Sequence, residues 1–413
     1  MTPYVDPTYF LLLLYPLLGL FILGVLGRLG RSAVLLVSVA FVLYQYGDPI
    51  ADTDPSNGPR QLIFLVSYAL ASTAIVLGYS ALRRRRSQPL FYAAVALTLF
   101  PLVAVKVLPV MRGVPSAALA AAAPPGVPSQ SGLLDTVGFL GLSYMSLRVV
   151  DALIVLHDGV VREAPSPGGI LSYLLFVPTI SAGPIDRFRR FTRDLDALPR
   201  GGRAYLDDVA AGIHRVAQGF LYKFIIAYLI YRQALRPLTD RPGAFATVEY
   251  MYAFSAYLFF DFAGYSAFAI GVGRFFGVHV PENFNAPYLS RNFREMWDRW
   301  HITLSWWLRD NVYMRFMLTA TRRKWFGGSA WWAHVAGLLL TMGLMGCWHG
   351  LEPRYVVYGL YQGVMLVLSD VLARWDRLQS IVGDGRFARV ASVFVTLNLF
   401  CFGLLIFSGR LFR

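Results

Sequence analysis

The chain runs to 413 residues, of which 56% are hydrophobic and only 15% charged, with a mean hydropathy of +0.51. Soluble domains carry about 25% charged residues, so a soluble globular protein is excluded and an all-α polytopic membrane protein is implied. The net charge of +14 comes from Arg and Lys grouped between apolar stretches, as the positive-inside rule expects, and calls for no nucleic-acid partner.

In chain order, apolar runs predict helices at 9–27, 33–46, 62–82, 90–108, 133–156, 168–182, 205–235, 245–276, 291–320, 330–350, 353–374 and 388–409. The first has no basic lead-in and no small-residue cleavage site, so it reads as a retained helix rather than a signal peptide. The tetrad Arg83–Arg86 marks the cytoplasmic side. Working back, the acidic loop Asp48–Asp54 falls outside, the Arg28–Arg31 turn inside and the N-terminus outside. The Ala- and Pro-rich loop 109–130 is then an extracytoplasmic connector.

The run 168–182 is short for a crossing, since about 15 residues at 1.5 Å each reach only some 22 Å. It reads as a re-entrant helix that returns Arg187, Arg189, Arg190 and Arg193 to the cytoplasm. Such backbone is tolerated only within protein or beside a water-filled cavity, which implies an internal cavity. No internal repeat of the transporter kind is visible, and the chain reads as one transmembrane domain, 1–413. Within it, 183–203 and 310–330 are cytoplasm-facing segments. Cys347 and Cys401 lie in apolar helices without metal-ligand spacing, so neither a disulfide nor a metal site is expected.

Two histidines stand out because a titratable ring at membrane depth marks a functional site by default. Near neutrality, such a ring can accept a proton during catalysis. On a continuous helix, Arg294, Asp298, His301, Ser305 and Arg309 share one stripe, while Trp297, Trp300, Leu304 and Trp307 take the opposite side. That charged stripe must face water, headgroups or a channel, and Asp298 is placed to orient the His301 ring or hold its proton. The alternative is an interfacial helix with its tryptophans in the aromatic belt.

His349 ends an apolar helix on which Gly343, Gly346 and Gly350 recur at spacings of three and four. Such a face admits another backbone or a slender ligand. Asp261 reads as a buried partner for an arginine or the cap of an internal network, and Asp186 as a turn former at the membrane face. There is no phosphate-binding glycine loop, no defensible Ser-His-Asp order and no paired-carboxylate signature.

Three stretches taken together resemble the membrane-bound O-acyltransferases: Asn283-Phe-Asn-Ala-Pro-Tyr, Trp297-Asp-Arg-Trp-His-Ile-Thr-Leu-Ser-Trp-Trp-Leu-Arg-Asp310, and Trp348-His-Gly350. Further stretches at 181–191, 219–224, 259–268, 313–315 and 405–409 extend the resemblance over nearly the whole chain. Asp186 after Gly-Pro-Ile, and Asn311-Val-Tyr-Met after Arg-Asp, favour the branch that acts in teichoic acid D-alanylation over the alginate O-acetylation branch. The loop 109–130 departs from that branch in being longer and arginine-poor, which bears on the acceptor.

The resemblance implies a ring of roughly eleven transmembrane helices around a thin centre, where funnels from both faces meet near His349. It implies a multi-pass protein of the bacterial plasma membrane, with no cofactor bound by the chain. The donor would be D-alanine held as a phosphopantetheine thioester on a cytosolic D-alanyl carrier protein. The acceptor would be a hydroxyl of lipoteichoic acid or a related cell-envelope polymer, with a membrane-anchored accessory protein as a further partner.

His349 would be the general base and His301 a second catalytic residue in a supporting role. Asp298, Ser305, Arg309, Trp348 and Asn285 would position substrate. Arg315, Arg322, Arg323 and Lys324 beside Phe316, Met317 and Leu318 would dock the acidic carrier. The rival readings are a polysaccharide O-acetyltransferase with the same histidines and, from another class, a transporter or flippase whose histidines line a path.

Overall fold

The computed structural model describes residues 7–47, 57–82, 87–111, 141–198, 201–374 and 385–412. Among them the chain forms helices and no strand, with only isolated bridges such as that between Phe284 and Trp300. Six of these helices are long and apolar enough to cross a membrane: 60–82, 88–108, 244–275, 330–349, 353–373 and 386–408. Two more, Tyr9–Val25 and Arg31–Gln45, are apolar but shorter. Other expected crossings are short or broken, as described below. Arg83–Arg86, the loop Asp48–Asp54, residues 112–130 and the start of the run 133–156 lie outside the described residues.

Contacts divide the chain into two compact units, residues 1–221 with 264–281, and residues 222–263 with 282–413. The first unit contains α1 (Pro7–Val25), α2 (Arg31–Gly47), α3 (Asn57–Leu82), α4 (Gln88–Met111), α5 (Leu142–His157), α6 (Pro167–Leu174), α7 (Phe188–Asp196) and α8 (Gly202–Phe220). The run expected at 168–182 is shorter than predicted. Ser166 caps α6 by accepting from the Gly169 amide at 3.1 Å, and the helix gives way to a single 3₁₀ turn at Val177–Thr179 that contains Pro178.

The carbonyls freed at the end of α6 have a partner that sequence did not suggest. Arg148 of α5 is 1% exposed and donates from Nη1 to the carbonyl oxygens of Tyr173 (3.0 Å) and Leu174 (3.3 Å), and from Nη2 to Thr179. A guanidinium at a helix C-terminus satisfies orphan acceptors and complements the dipole. Asp151, one turn on, accepts from Arg187 Nη1 at 2.7 Å and from the Phe188 amide at 2.8 Å, which starts α7. Asp186, expected as a turn former, also pairs with Arg190 at 2.6 Å.

The second unit begins inside a helix that relaxes to π geometry at Leu221–Ala227 and again at Tyr231–Leu235. The wider turn carries Lys223, which pairs with Asp261. The expected cationic partner of Asp261 is therefore a lysine and not an arginine. Asp261 lies on α9 (Ala244–Phe275), whose residues up to Ala263 belong to this unit. Next come α10 (Phe293–Arg299), α11 (Ile302–Leu308), α12 (Met314–Arg322), α13 (Ala330–His349), α14 (Pro353–Ala373) and α15 (Arg386–Ser408).

The glycine spacing of α13 serves close packing against α14. A Cβ on Gly346 would land on the Tyr355 carbonyl and lie 3.1 Å from the Gly359 Cα, and one on Gly359 would lie 3.0 Å from the Gly346 Cα. A Cβ on Gly350 would strike the Tyr355 ring, whereas one on Gly343 would meet nothing nearer than 3.9 Å. Of the two uses expected for that face, another backbone takes Gly346.

Candidate active site

The stretch 291–310 is not one helix, so the five-residue stripe does not form. Trp300 is extended, at φ −106° and ψ 128°, and His301 is left-handed, at φ 43° and ψ 49°. A non-glycine residue held there is costly and persists only where its surroundings fix it. Pairing with an earlier segment fixes it here. The Asn285 amide donates to the Arg299 carbonyl, and the Ile302 amide to the Asn283 carbonyl, each at 3.0 Å. Between them lies the Phe284–Trp300 bridge. The break separates α10 from α11 and turns His301 into the protein, where it is 5% exposed.

The partner of the His301 ring is Asn283. Nδ1 lies 3.3 Å from Asn283 Oδ1, which also accepts from Thr303 Oγ1 at 2.7 Å and from the Thr303 amide at 3.4 Å. A backbone amide can only donate, so the atom facing it is the carboxamide oxygen. His301 therefore donates from Nδ1, and in the neutral ring Nε2 carries the lone pair. Phe262 of α9 meets the imidazole edge to face, with centroids 4.8 Å apart. Trp300 packs among Phe259, Phe284 and Phe400 behind it.

His349, the last residue of α13, is half-buried between aromatic rings. Phe407 of α15 meets it edge on at 5.1 Å, Tyr355 of α14 stacks at 6.2 Å and Tyr358 lies at 6.4 Å. Glu352, the nearest carboxylate in sequence, is engaged by Arg354 at 2.8 Å. His301 and His349, 48 residues apart in sequence, lie within electrostatic reach of one another.

The remaining predicted residues are distributed unevenly about this pair. Trp348 touches the His349 ring at 4.9 Å. Ser305 supports the break, its hydroxyl donating to the carbonyls of Trp300 (3.2 Å) and His301 (3.1 Å). Asp298 is exposed, and the group that orients His301 is Asn283 instead. Asn285 is exposed and joins the pairing through its backbone. Arg309 is exposed and pairs with its neighbour Asp310 at 2.9 Å. Arg294 is held by Asp370 at 2.6 Å, beside His334 and Tyr313.

Arg322, Arg323, Lys324 and Leu318 are all exposed at the end of α12, with Arg315 and Met317 half-buried on its body. Sequence reasoning missed Asn283 and Thr303, although both lie within the quoted motifs. It also missed the wall formed by Tyr355, Tyr358 and Phe407, which comes from two later helices. Among the described residues no group of His, Cys, Asp or Glu is arranged to hold a metal ion.

The sequence model of the MBOAT, membrane-bound O-acyltransferase, family matches residues 61–409. The chain belongs to that family. It is accordingly a multi-pass membrane acyltransferase. This MBOAT chain is similar to the teichoic acid D-alanyltransferase of Bacillus subtilis (strain 168), at 34% identity over 100% of this chain and 99% of the relative. It is likewise similar to that of Lacticaseibacillus rhamnosus, at 34% identity over 99% of this chain and 97% of the relative. A probable alginate O-acetylase of Azotobacter vinelandii is 33% identical over a shorter stretch, 56% of this chain and 44% of the relative.

Proposed function

We propose that this acyltransferase moves D-alanine from a phosphopantetheine thioester on a carrier protein to a hydroxyl of lipoteichoic acid or a related cell-envelope polymer, with His349 as general base. The observation that supports this reading is that His301, buried at the break, lies within electrostatic reach of His349 at the end of α13. The choice of acyl group follows the relatives named for teichoic acid D-alanylation, which align end to end with this chain.

A hydroxyl becomes a competent nucleophile as its proton leaves, and a neutral imidazole is suited to take it. As His349 accepts the proton, the oxygen bonds to the thioester carbonyl carbon and a tetrahedral adduct forms. The carbon–sulfur bond then breaks and the departing sulfur recovers the proton from the His349 imidazolium. The attack is direct, so no acyl-enzyme forms, and the thiol leaves readily because it is far more acidic than an alcohol. Close aromatic walls around His349 keep bulk water from competing as acceptor.

His301 has the supporting role. With Nδ1 committed to Asn283, Nε2 receives a hydrogen bond and so holds a donor group of the substrate, such as the acceptor hydroxyl. The carrier docks on the exposed end of α12 through Arg322, Arg323, Lys324 and Leu318, with Arg315 and Met317 beside them. A membrane-anchored accessory protein would present the acceptor, and the plasma membrane is the site of action.

The experiment offers full-length protein in proteoliposomes a carrier charged with either D-alanine or an acetyl group, together with lipoteichoic acid. D-Alanyl transfer with little acetyl transfer supports the reading. Preferential acetyl transfer would instead favour polysaccharide O-acetylation, in line with the shorter-matching relative named as a probable alginate O-acetylase.

A further inference from the structure

The second unit also contains a cleft of about 400 Å³ whose lining includes neither histidine. Three arginines line it, Arg291, Arg299 and Arg389, against one carboxylate, Glu295. Glu295 is committed already, to Arg299 at 2.6 Å and to the Arg291 amide at 2.9 Å. Arg291 and Arg389 are exposed and pair with no carboxylate among the described residues. The rest of the lining is apolar: Leu289, Val390 and Val393.

A positive hollow with an apolar wall fits a ligand that is anionic at one end and hydrocarbon at the other. The position of the cleft says which. Arg389 and Val390 lie in the first turns of α15, one of the helices long enough to cross a membrane. From there Phe387, Val390 and Phe394, spaced three and four residues apart, run along the helix at 88%, 68% and 64% exposure. That stripe can line an acyl chain whose headgroup sits among the guanidiniums, the arrangement expected where a spanning helix meets the interface.

We propose that this cleft binds the phosphodiester headgroup of an anionic phospholipid, with Arg291, Arg299 and Arg389 on the phosphate and Leu289, Val390 and Val393 beside the first acyl carbons. A soluble phosphate would use the arginines and leave the apolar wall and stripe idle. The proposal does not depend on which acyl group is moved.

The test is native mass spectrometry of the full-length protein in nonionic detergent, titrated with phosphatidylglycerol, phosphatidylcholine or inorganic phosphate. The wild type should hold phosphatidylglycerol roughly tenfold more tightly than phosphatidylcholine, equivalent to about 1.4 kcal/mol. Arg291→Gln with Arg389→Gln should remove that preference, whereas Arg322→Gln with Arg323→Gln should retain it. Val390→Trp, which fills the cleft and leaves all three arginines, should weaken phosphatidylglycerol and supplies the answer if the double variant does not accumulate. Equal binding of the two lipids by the wild type, or an undiminished preference in the cleft variants, would overturn the proposal. Inorganic phosphate binding as tightly as phosphatidylglycerol would reassign the cleft to a soluble phosphate and overturn the lipid assignment.

Discussion

His301 donates from Nδ1 to Asn283 Oδ1 at 3.3 Å, and the same oxygen accepts the Thr303 hydroxyl at 2.7 Å. One carboxamide thus sets the tautomer of the ring and braces the start of α11, just beyond the backbone break that turns it inward. Asn283→Ala removes the one oxygen shared by the His301 ring, the Thr303 hydroxyl and the Thr303 amide, at a cost of about 1–3 kcal/mol for each buried hydrogen bond that is not replaced. The variant is expected to melt several degrees lower in detergent and to lose activity through a raised KM more than through kcat. Thr303→Val removes only one donor and should be milder. Thermal unfolding and steady-state transfer assays on the two variants check the order.

Packing that is open at Gly343 and tight at Gly346 predicts a graded series on α13. Gly346→Ala forces a methyl onto the Tyr355 carbonyl, so α13 and α14 must part. Overpacking of this kind costs about 1–3 kcal/mol. Because His349 follows within one turn, activity should fall with stability. Gly343→Ala, with nothing nearer than 3.9 Å, should behave as wild type. Melting temperatures of the two variants side by side test this, and equal loss in both would remove the packing explanation.

The exposed end of α12 predicts a salt-dependent effect. Arg322→Glu with Arg323→Glu should slow carrier association on the order of tenfold at low salt, with the difference shrinking as salt is raised. Leu318→Ala should instead speed dissociation, with little dependence on salt. Surface plasmon resonance with immobilised charged carrier resolves the two rates.

Around Asp194 the fold predicts a pH response in stability. Burial opposes the Asp194 charge, but hydrogen bonds from the His279 side chain and amide outweigh it and hold the carboxyl below its ordinary 3.8. A carboxyl lowered in the fold contributes stability that is complete above the unfolded-state value and is lost as pH falls through the folded one. Melting temperature should therefore drop as pH is taken below about 4, and Asp194→Asn should flatten that part of the profile. Asp208 takes part in the same cluster, 2.9 Å from His279 Nε2 and 2.6 Å from Arg274. Its carboxyl is lowered for the same reasons, so some slope should remain in the single variant.

Apolar length carried most of the helix assignment, because burial in lipid is written locally as a run of side chains. The helices at Gln88–Met111, Ala330–His349, Pro353–Ala373 and Arg386–Ser408 begin and end within two or three residues of their predicted positions. The break at His301 has no such local mark, since neither proline nor glycine stands there. It depends on backbone pairing with residues 283–285, a contact 18 residues away that no periodicity reveals. Arg148 was hidden for the same reason, as the carbonyls it satisfies lie 25 to 31 residues further on. Both histidines were legible as chemistry out of place in an apolar setting. Asn283 stood in the motif beside them, but only its pairing across the break distinguishes it from the exposed Asn285.

The most direct measurement is single-turnover transfer from a carrier charged with radiolabelled D-alanine to lipoteichoic acid, comparing wild type with His349→Ala in the same proteoliposomes. With the two proteins matched in amount and melting temperature, the variant should be slower by about 10²–10⁴-fold, the range expected for loss of a general base. His301→Ala should retain more of the rate. A His349→Ala rate within about twofold of wild type would contradict the assignment of the proton transfer to this imidazole.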